Sequence, residues 1–188
     1  MPNIVCVDID GTTMDFHKAL QIRLRELGHT YYPERCIDYN FNGDIGCDRN
    51  LIFDLFDDEE LYRRLPFYEN AKKAISMLLE QCDTVYGYTA SVAAENIFNQ
   101  RKELVEELGM IPRVFVNKKP VMEDADALFD DCLGVHRCWV NAGSNAKLYL
   151  INQQHNQMTE ENKDDPIWNS VIRCNSLFEA VQMYLRDK

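Results

Sequence analysis

The chain has 188 residues, of which 46% are hydrophobic and 27% charged, and its formal net charge is −11 at pH 7. This length and composition predict one globular domain, or one domain with a small insertion, with enough apolar residues for a core. The negative charge argues against DNA or RNA as the main partner, because binding a phosphate backbone needs clustered Lys and Arg. A small phosphorylated ligand is still compatible with it.

Seven cysteines are present, an odd number with no CxxC pair and no zinc-ligand spacing. This usage favours free thiols in a reducing compartment. The sequence opens on a strand-like run without the features of a secretion signal, and no apolar run is long enough to cross a bilayer. We therefore expect a cytoplasmic protein without a membrane segment.

The first element is the short apolar run from Ile4 to Val7, which is typical of a buried strand. Asp8 and Asp10 follow it at i, i+2 spacing, so their carboxylates leave the strand on the same side. Gly11 then lets the chain turn sharply. Because adjacent carboxylates repel each other and favour a nearby cation, the stretch predicts a metal and acid site. A strand-end turn with capping carboxylates is the alternative.

A helical pattern covers residues 16–27, and two short helices are predicted over 50–56 and 59–65. Residues 29–49 lose periodicity and mix aromatic with polar side chains, so a ligand lid and irregular packing are both open interpretations. An amphipathic helix then follows, and its apolar stripe consists of Ala71, Ala74, Ile75, Leu78 and Leu79.

Strands and helices alternate over the rest of the chain. Strands are predicted over 84–88, 114–116, 127–129, 138–140 and 148–151. A helix is predicted before Gly109, because six residues recur at helical spacing on one face: Ile97, Phe98, Arg101, Leu104, Val105 and Leu108. A last helix is predicted over 176–185, and the polar residues 155–166 indicate an exposed loop. This alternation predicts a mostly parallel sheet in a layered α/β fold.

Polar residues follow four of the apolar strands, at the strand ends where ligands bind in open α/β sheets. In chain order they are Asp8 with Asp10, Thr89, Lys118 with Lys119, and Asp130 with Asp131. This series resembles the four motifs of the haloacid dehalogenase-like phosphohydrolases, and the resemblance extends over the whole chain.

The resemblance implies a three-layer Rossmann-like core formed by residues 1–16 and 67–188, with residues 17–66 inserted as a small helical cap. It implies a Mg²⁺-dependent phosphomonoesterase in which Asp8 attacks phosphorus to form an aspartyl-phosphate. Asp10 would protonate the leaving alcohol and then deprotonate the attacking water. Carboxylates of Asp8 and of Asp130 or Asp131, with the backbone carbonyl of Asp10, would hold the ion, and the choice between Asp130 and Asp131 as the direct ligand is open.

The resemblance also implies that Thr89 and neighbouring N–H groups bind phosphate, with Gly11, Thr12 and Ala90 beside the substrate. Ala90 stands where the family usually has Ser, which removes one hydroxyl contact.

Lys118 or Lys119 would neutralise charge on the transferring phosphoryl group. Lys119 lies 11 residues before Asp130, about one more than the family pattern, so the choice between the two lysines is open.

A narrower resemblance rests on residues 8–16 (DIDGTTMDF), 65–71 (LPFYENA) and 128–131 (LFDD). These stretches are similar to motifs of the 5′(3′)-deoxyribonucleotidases, which implies nucleoside monophosphate substrates and a base pocket shaped by Phe16. The alternatives are a phosphatase for another small phosphate ester or a nucleic-acid end, a phosphomutase, or a catalytically silent binding protein with the same fold.

Overall fold

A computed structural model of the protein describes residues 2–38, 40–116, 119–160 and 162–188. Its strands are β1 (Ile4–Val7), β2 (Thr84–Ser91), β3 (Ile111–Val116), β4 (Ala127–Asp130), β5 (Lys147–Ile151) and β6 (Ile172–Cys174). Its α-helices are α1 (Phe16–Glu26), α2 (Arg49–Asp54), α3 (Glu59–Arg63), α4 (Ala71–Gln81), α5 (Glu95–Glu107), α6 (Leu133–Asn141) and α7 (Leu177–Arg186).

The six strands form one parallel sheet in the order β3-β2-β1-β4-β5-β6. β1 is central because all four of its apolar residues are buried and it pairs on both sides. The chain runs outward from β1 to β3 and returns to β4 on the other side of β1. The sheet therefore has a switch point between β1 and β4, which is where open α/β sheets form a ligand crevice.

Successive residues of β1 belong to opposite layers, as the period of two in a strand requires. Val5 and Val7 join the apolar cluster that contains the buried faces of α4, α5 and α7. Ile4 and Cys6 pack in a second cluster with Trp139 of α6. The predicted α/β fold with a layered, Rossmann-like core and a parallel sheet is thus confirmed.

Helices α1, α2 and α3 lie in sequence between β1 and α4. Asp15 caps α1 by accepting a hydrogen bond from the backbone N–H of Lys18, and Asp58 caps α3 in the same way. The carboxylate of Asp58 also binds Arg23 of α1, with Nε and Oδ2 2.6 Å apart. One acidic residue therefore both starts α3 and fixes it against α1.

The sequence placed one strand wrongly and missed another in the C-terminal half of the chain. Residues 138–140 belong to helix α6, where Trp139 is buried against Tyr88; three apolar residues in a row do not distinguish a strand from a helix. The sixth strand, Ile172–Cys174, was not predicted, because three residues are too few to show the hydrophobic alternation of a strand. The polar stretch 155–166 is exposed or half-buried at most of its described residues, as predicted, but Asn156 within it is buried.

No helix in the described part of the chain combines the length and apolar character needed to cross a membrane.

The seven cysteines are all free thiols, and burial raises the pKa of Cys6, Cys132 and Cys174 to about 12.

Close packing of α5 on β2 depends on Gly87. A Cβ added to this residue would lie 2.3 Å from Cγ1 of Val105, well inside van der Waals contact. We expect Gly87→Ala to lower the free energy of unfolding by about 1–3 kcal/mol, as overpacking of a core does. Urea unfolding measures the change.

Gly134→Ala is the matched control, because its added Cβ would meet only Cys132 Sγ at 3.6 Å. It should be neutral or slightly stabilising within α6. Equal effects of the two substitutions on the free energy of unfolding would contradict the packing argument. So would a Gly87→Ala/Val105→Ala double variant whose loss of unfolding free energy equals the sum of the losses in the two single variants.

Candidate active site

The turn after β1 is fixed by backbone and side-chain hydrogen bonds. The N–H of Asp8 continues the strand pairing by donating to Phe129 O at 2.9 Å. The backbone N–H of Thr13 then donates to Ile9 O at 2.9 Å, and its hydroxyl to Asp8 O at 2.7 Å. Because the turn closes on itself, Asp8 is held 3% exposed at the end of the central strand.

Three buried carboxylates converge at the ends of β1 and β4. Oxygen atoms of Asp8, Asp130 and Asp131 all lie within 4.8 Å of one another. Lys119 bridges two of them, with Nζ 2.7 Å from Asp8 Oδ1 and 2.6 Å from Asp130 Oδ2. Lys118, the other lysine predicted for this role, lies outside the described residues.

One ammonium cannot neutralise three carboxylates, so this cluster has an excess of buried negative charge. Burial raises the pKa of Asp8 and of Asp131 well above the ordinary value, and the neighbouring carboxylates raise both further. Burial alone would lower the pKa of Lys119, but its contacts with Asp130 and Asp8 raise it well above the ordinary value. The lysine is thus a fixed cation.

The donor set fits a hard divalent cation. Carboxylate oxygens are the ligands that Mg²⁺ prefers, and a cation would offset the charge that Lys119 leaves uncompensated. Asp130 already accepts from Lys119 and from the N–H of Cys132 at 2.7 Å. More lone pairs therefore remain for an ion on Asp8 and Asp131 than on Asp130.

Asp10 lies beside this cluster and has a different partner. Its carboxylate is paired with Arg101 of α5, a side chain only 1% exposed. The same guanidinium nitrogen, Nη2, lies 3.2 Å from the hydroxyl of Thr89. Loss of bulk water raises the pKa of Asp10 although 30% of its side chain still faces a cavity, and Arg101 acts in the opposite direction.

Two cavities meet over these residues, and Asp10, Ala90 and Asp131 line both. One, of about 340 Å³, also contains Asp8 and Lys119. The other, of about 330 Å³, extends away from the cluster. Part of its wall is aromatic, formed by Phe16, Phe41, Phe56 and Tyr62, and His17, His155 and Asp38 also line it.

Most of the predicted site residues are brought together here. Asp8, Asp10, Thr89, Lys119 and Asp131 line the cavities, as do Gly11, Phe16 and Ala90. Asp130 lies beneath them with no exposed surface. Thr12 is also fully buried and is not among the cavity-lining residues, so the position of its side chain gives no support to a substrate contact.

Sequence reasoning missed three contacts at this site. Arg101 was visible only as a charged residue within an otherwise apolar helical stripe. Gln153 donates from Nε2 to Gly11 O at 2.6 Å, and His155 lies 3.1 Å from Asp131. Both occur in the polar stretch after β5, where hydrophobic periodicity carries no information.

No family model and no curated protein sequence matches this chain. Solved structures do match, among them a proposed beta-phosphoglucomutase from Thermotoga maritima, 13% identical over 98% of this chain and 99% of that one, with a TM-score of 0.59. A proposed haloacid dehalogenase-like hydrolase from Burkholderia xenovorans is 14% identical over 99% and 98% of the two chains, with a TM-score of 0.54.

A third similar structure is the D,D-heptose 1,7-bisphosphate phosphatase from B. bronchiseptica, determined with magnesium and phosphate. It is 12% identical over 99% of both chains, with a TM-score of 0.51. At these identities the comparison shows only that this chain shares the fold of these structures. None of the three structures is described as a nucleotidase, so that narrower assignment stays a prediction.

Gly11 gives the site a direct mutational test. Its φ is +77°, and a Cβ would lie 2.0 Å from Oδ2 of Asp131. Gly28 has a similar φ of +83° but has no atom within 4 Å of the added Cβ. We expect Gly11→Ala to displace the Asp131 carboxylate and so weaken binding of a divalent cation by the cluster. Gly28→Ala should cost only the strain of the left-handed backbone, about 1 kcal/mol of folding free energy.

Calorimetric Mg²⁺ titration and urea unfolding of both variants measure these effects. Equal losses in the two variants would mean that backbone strain alone explains them, and that Gly11 does not need to accommodate Asp131.

Proposed function

We propose that the protein is a Mg²⁺-dependent phosphomonoesterase that works through an aspartyl-phosphate on Asp8. The single observation that carries this proposal is the buried cluster of Asp8, Asp130 and Asp131 with Lys119, at the switch point of the sheet. A phosphoryl group is anionic and needs fixed cations around it, and this cluster supplies one ammonium and a set of oxygen ligands for another cation.

Asp8 is the nucleophile in this proposal. Its oxygen bonds to phosphorus while the bond from phosphorus to the substrate alcohol breaks, and the alcohol leaves with a proton. Water then attacks the phosphorus of the aspartyl-phosphate, so that inorganic phosphate is released and the Asp8 carboxylate is restored. Lys119 Nζ, 2.7 Å from Asp8 Oδ1, stabilises the negative charge close to the reacting group in both steps.

Asp10 is the acid and base. Its raised pKa favours the protonated form that the leaving alcohol requires, and its Oδ1 has no hydrogen-bond partner among the described residues. The other carboxylate oxygen, Oδ2, accepts a hydrogen bond from Arg101, which also donates to the hydroxyl of Thr89. After the alcohol leaves, the Asp10 carboxylate accepts a proton from the attacking water.

The residues that would hold Mg²⁺ are Asp8, Asp131 and Asp130, with the backbone carbonyl of Asp10. When bound, the ion would offset negative charge on the phosphoryl oxygens.

Residues 17–66 act as a cap in this proposal. The two ends of the segment are tied together, because the N–H of Asp15 donates to Pro66 O at 2.8 Å and that of Tyr68 donates to Thr13 O at 3.1 Å. Because its two ends are hydrogen-bonded to each other, the inserted segment can pack over the edge of the sheet as a single substructure. Phe41, Phe56 and Tyr62 of this segment face the same cavity as Asp10.

Nucleoside monophosphates are the proposed substrates. The cavity of about 330 Å³ begins at Asp10 and Asp131 and continues between aromatic rings, which suits a phosphate at one end and a flat base at the other. Phe16 belongs to this wall and contacts Phe56 edge to face, with ring centroids 5.6 Å apart. We propose a cytoplasmic enzyme acting on small phosphate esters rather than on polymers.

Sugar phosphates are the second candidate, because two of the similar structures have names that refer to sugar phosphates. Phosphate release from a panel of 5′- and 3′-(deoxy)nucleoside monophosphates and sugar phosphates distinguishes the two. We expect release that favours nucleotides, requires Mg²⁺ and stops with EDTA.

Asp8→Asn is the control for this panel, because it removes the nucleophile and keeps the volume. Turnover should fall at least roughly 10³-fold, with circular dichroism unchanged. Release that persists in this variant or in EDTA would contradict the aspartyl-phosphate mechanism. Release from sugar phosphates alone would keep the mechanism and reject the nucleotidase assignment.

The aromatic wall has its own test. Phe56 lines the cavity, whereas Phe53 is 39% exposed and does not, although their rings are only 5.7 Å apart. We expect Phe56→Leu to raise KM for nucleotides about tenfold, since stacking of a base contributes about 1–3 kcal/mol. Phe53→Leu should leave KM unchanged. Steady-state kinetics measure both, and equal KM values would mean that no base packs on this wall.

A further inference from the structure

A line of four polar side chains connects the segment of residues 17–66 to the carboxylate cluster. The hydroxyl of Tyr31 lies 2.6 Å from Nδ1 of His17, at the start of α1. Nε2 of His17 lies 3.5 Å from Nδ1 of His155, in the 3-10 turn Gln154–Asn156. Nε2 of His155 lies 3.1 Å from Oδ2 of Asp131.

The proposed metal site would set the proton order along this line. A metal-binding Asp131 is ionised, and the N–H of a neutral His155 would then lie on Nε2, which is 3.1 Å from Asp131 Oδ2. A neutral imidazole has a single N–H, and Nδ1 of His155 therefore accepts from Nε2–H of His17. Nδ1 of His17 in turn accepts from the hydroxyl of Tyr31. Burial lowers the pKa of His17 to about 4, which favours the neutral form of that ring.

Asp131 is fixed by the same 3-10 turn at a second point. The side chain of Asn156 donates from Nδ2 to the backbone oxygen of Asp131 at 2.8 Å and to Ile151 O at 2.7 Å. Gly11 packs against the carboxylate from another direction. The backbone of Asp131 is therefore held independently of its side chain, and His155 is left to orient the carboxylate.

We propose that Tyr31, His17 and His155 are positioning residues that link the placement of α1 to the orientation of Asp131, so that Mg²⁺ binding and docking of α1 favour each other. This inference rests on the proposed function, in which Asp131 is a metal ligand. Partners behind a metal ligand typically contribute 10–100-fold to metal affinity, and this line extends such an effect into the segment that covers the site.

Three variants with Mg²⁺ alone as the ligand provide the test. Tyr31→Phe removes only the hydroxyl at the far end of the line, and His155→Phe removes the direct partner of Asp131. Tyr149→Phe is the matched control, because its buried hydroxyl has no hydrogen-bond partner among the described residues. Calorimetry should give a Mg²⁺ Kd raised about tenfold or more by His155→Phe, raised several-fold by Tyr31→Phe, and unchanged by Tyr149→Phe.

Hydrogen exchange of the α1 amides separates linkage from a merely structural role. In the unmodified protein, Mg²⁺ should slow exchange in α1 relative to EDTA, and in Tyr31→Phe and His155→Phe this difference should shrink. A loss of protection that is equal with and without Mg²⁺ would overturn the inference, as would unchanged Kd values in both variants. Absence of Mg²⁺ binding by the unmodified protein would overturn the proposed metal site itself and the inference with it.

Discussion

Mutual repulsion among three buried carboxylates is the constraint on which the rest of this structure depends. Asp8, Asp130 and Asp131 are each at most 3% exposed, and like charges in such surroundings are costly unless cations balance them. Lys119 supplies one cation by bridging two of the three. The absence of a side chain at Gly11 leaves the space that the Asp131 carboxylate occupies in this cluster.

The site belongs to two parts of the chain at once. The sheet edge carries the carboxylates, and residues 17–66 supply most of the aromatic wall. Polar links between these parts include the line of side chains from Tyr31 to Asp131. Another is Arg101, whose guanidinium pairs with Asp10 and lies 5.3 Å from the ring centroid of Tyr62. Side chains of residues 17–66 therefore contact groups that belong to the proposed catalytic site.

Fold and substrate are separate questions for this protein. A parallel α/β sheet of this kind can host many reactions, because function depends on the side chains placed at its edge. The carboxylates and Lys119 support phosphoryl chemistry, whereas the choice between nucleotides and sugar phosphates depends on the wall formed by Phe16, Phe41 and Phe56. Aromatic rings favour a base, and this is why kinetics on Phe56 variants test the substrate more directly than fold comparison does.

The sequence by itself determined the features that are encoded over a few residues. β1, the turn at Gly11, the paired acids after β1 and β4, and the strongly periodic helices α4, α5 and α7 were all predictable, because alternation, capping and turn chemistry act locally. Only the tertiary structure decided which distant groups meet. Arg101 reaches Asp10 across 91 positions, and His155 meets Asp131 in a stretch with no periodic signal. The helix over 138–140 and the edge strand at 172–174 were decided in the same way, since short apolar runs take the conformation that buries them best against their neighbours.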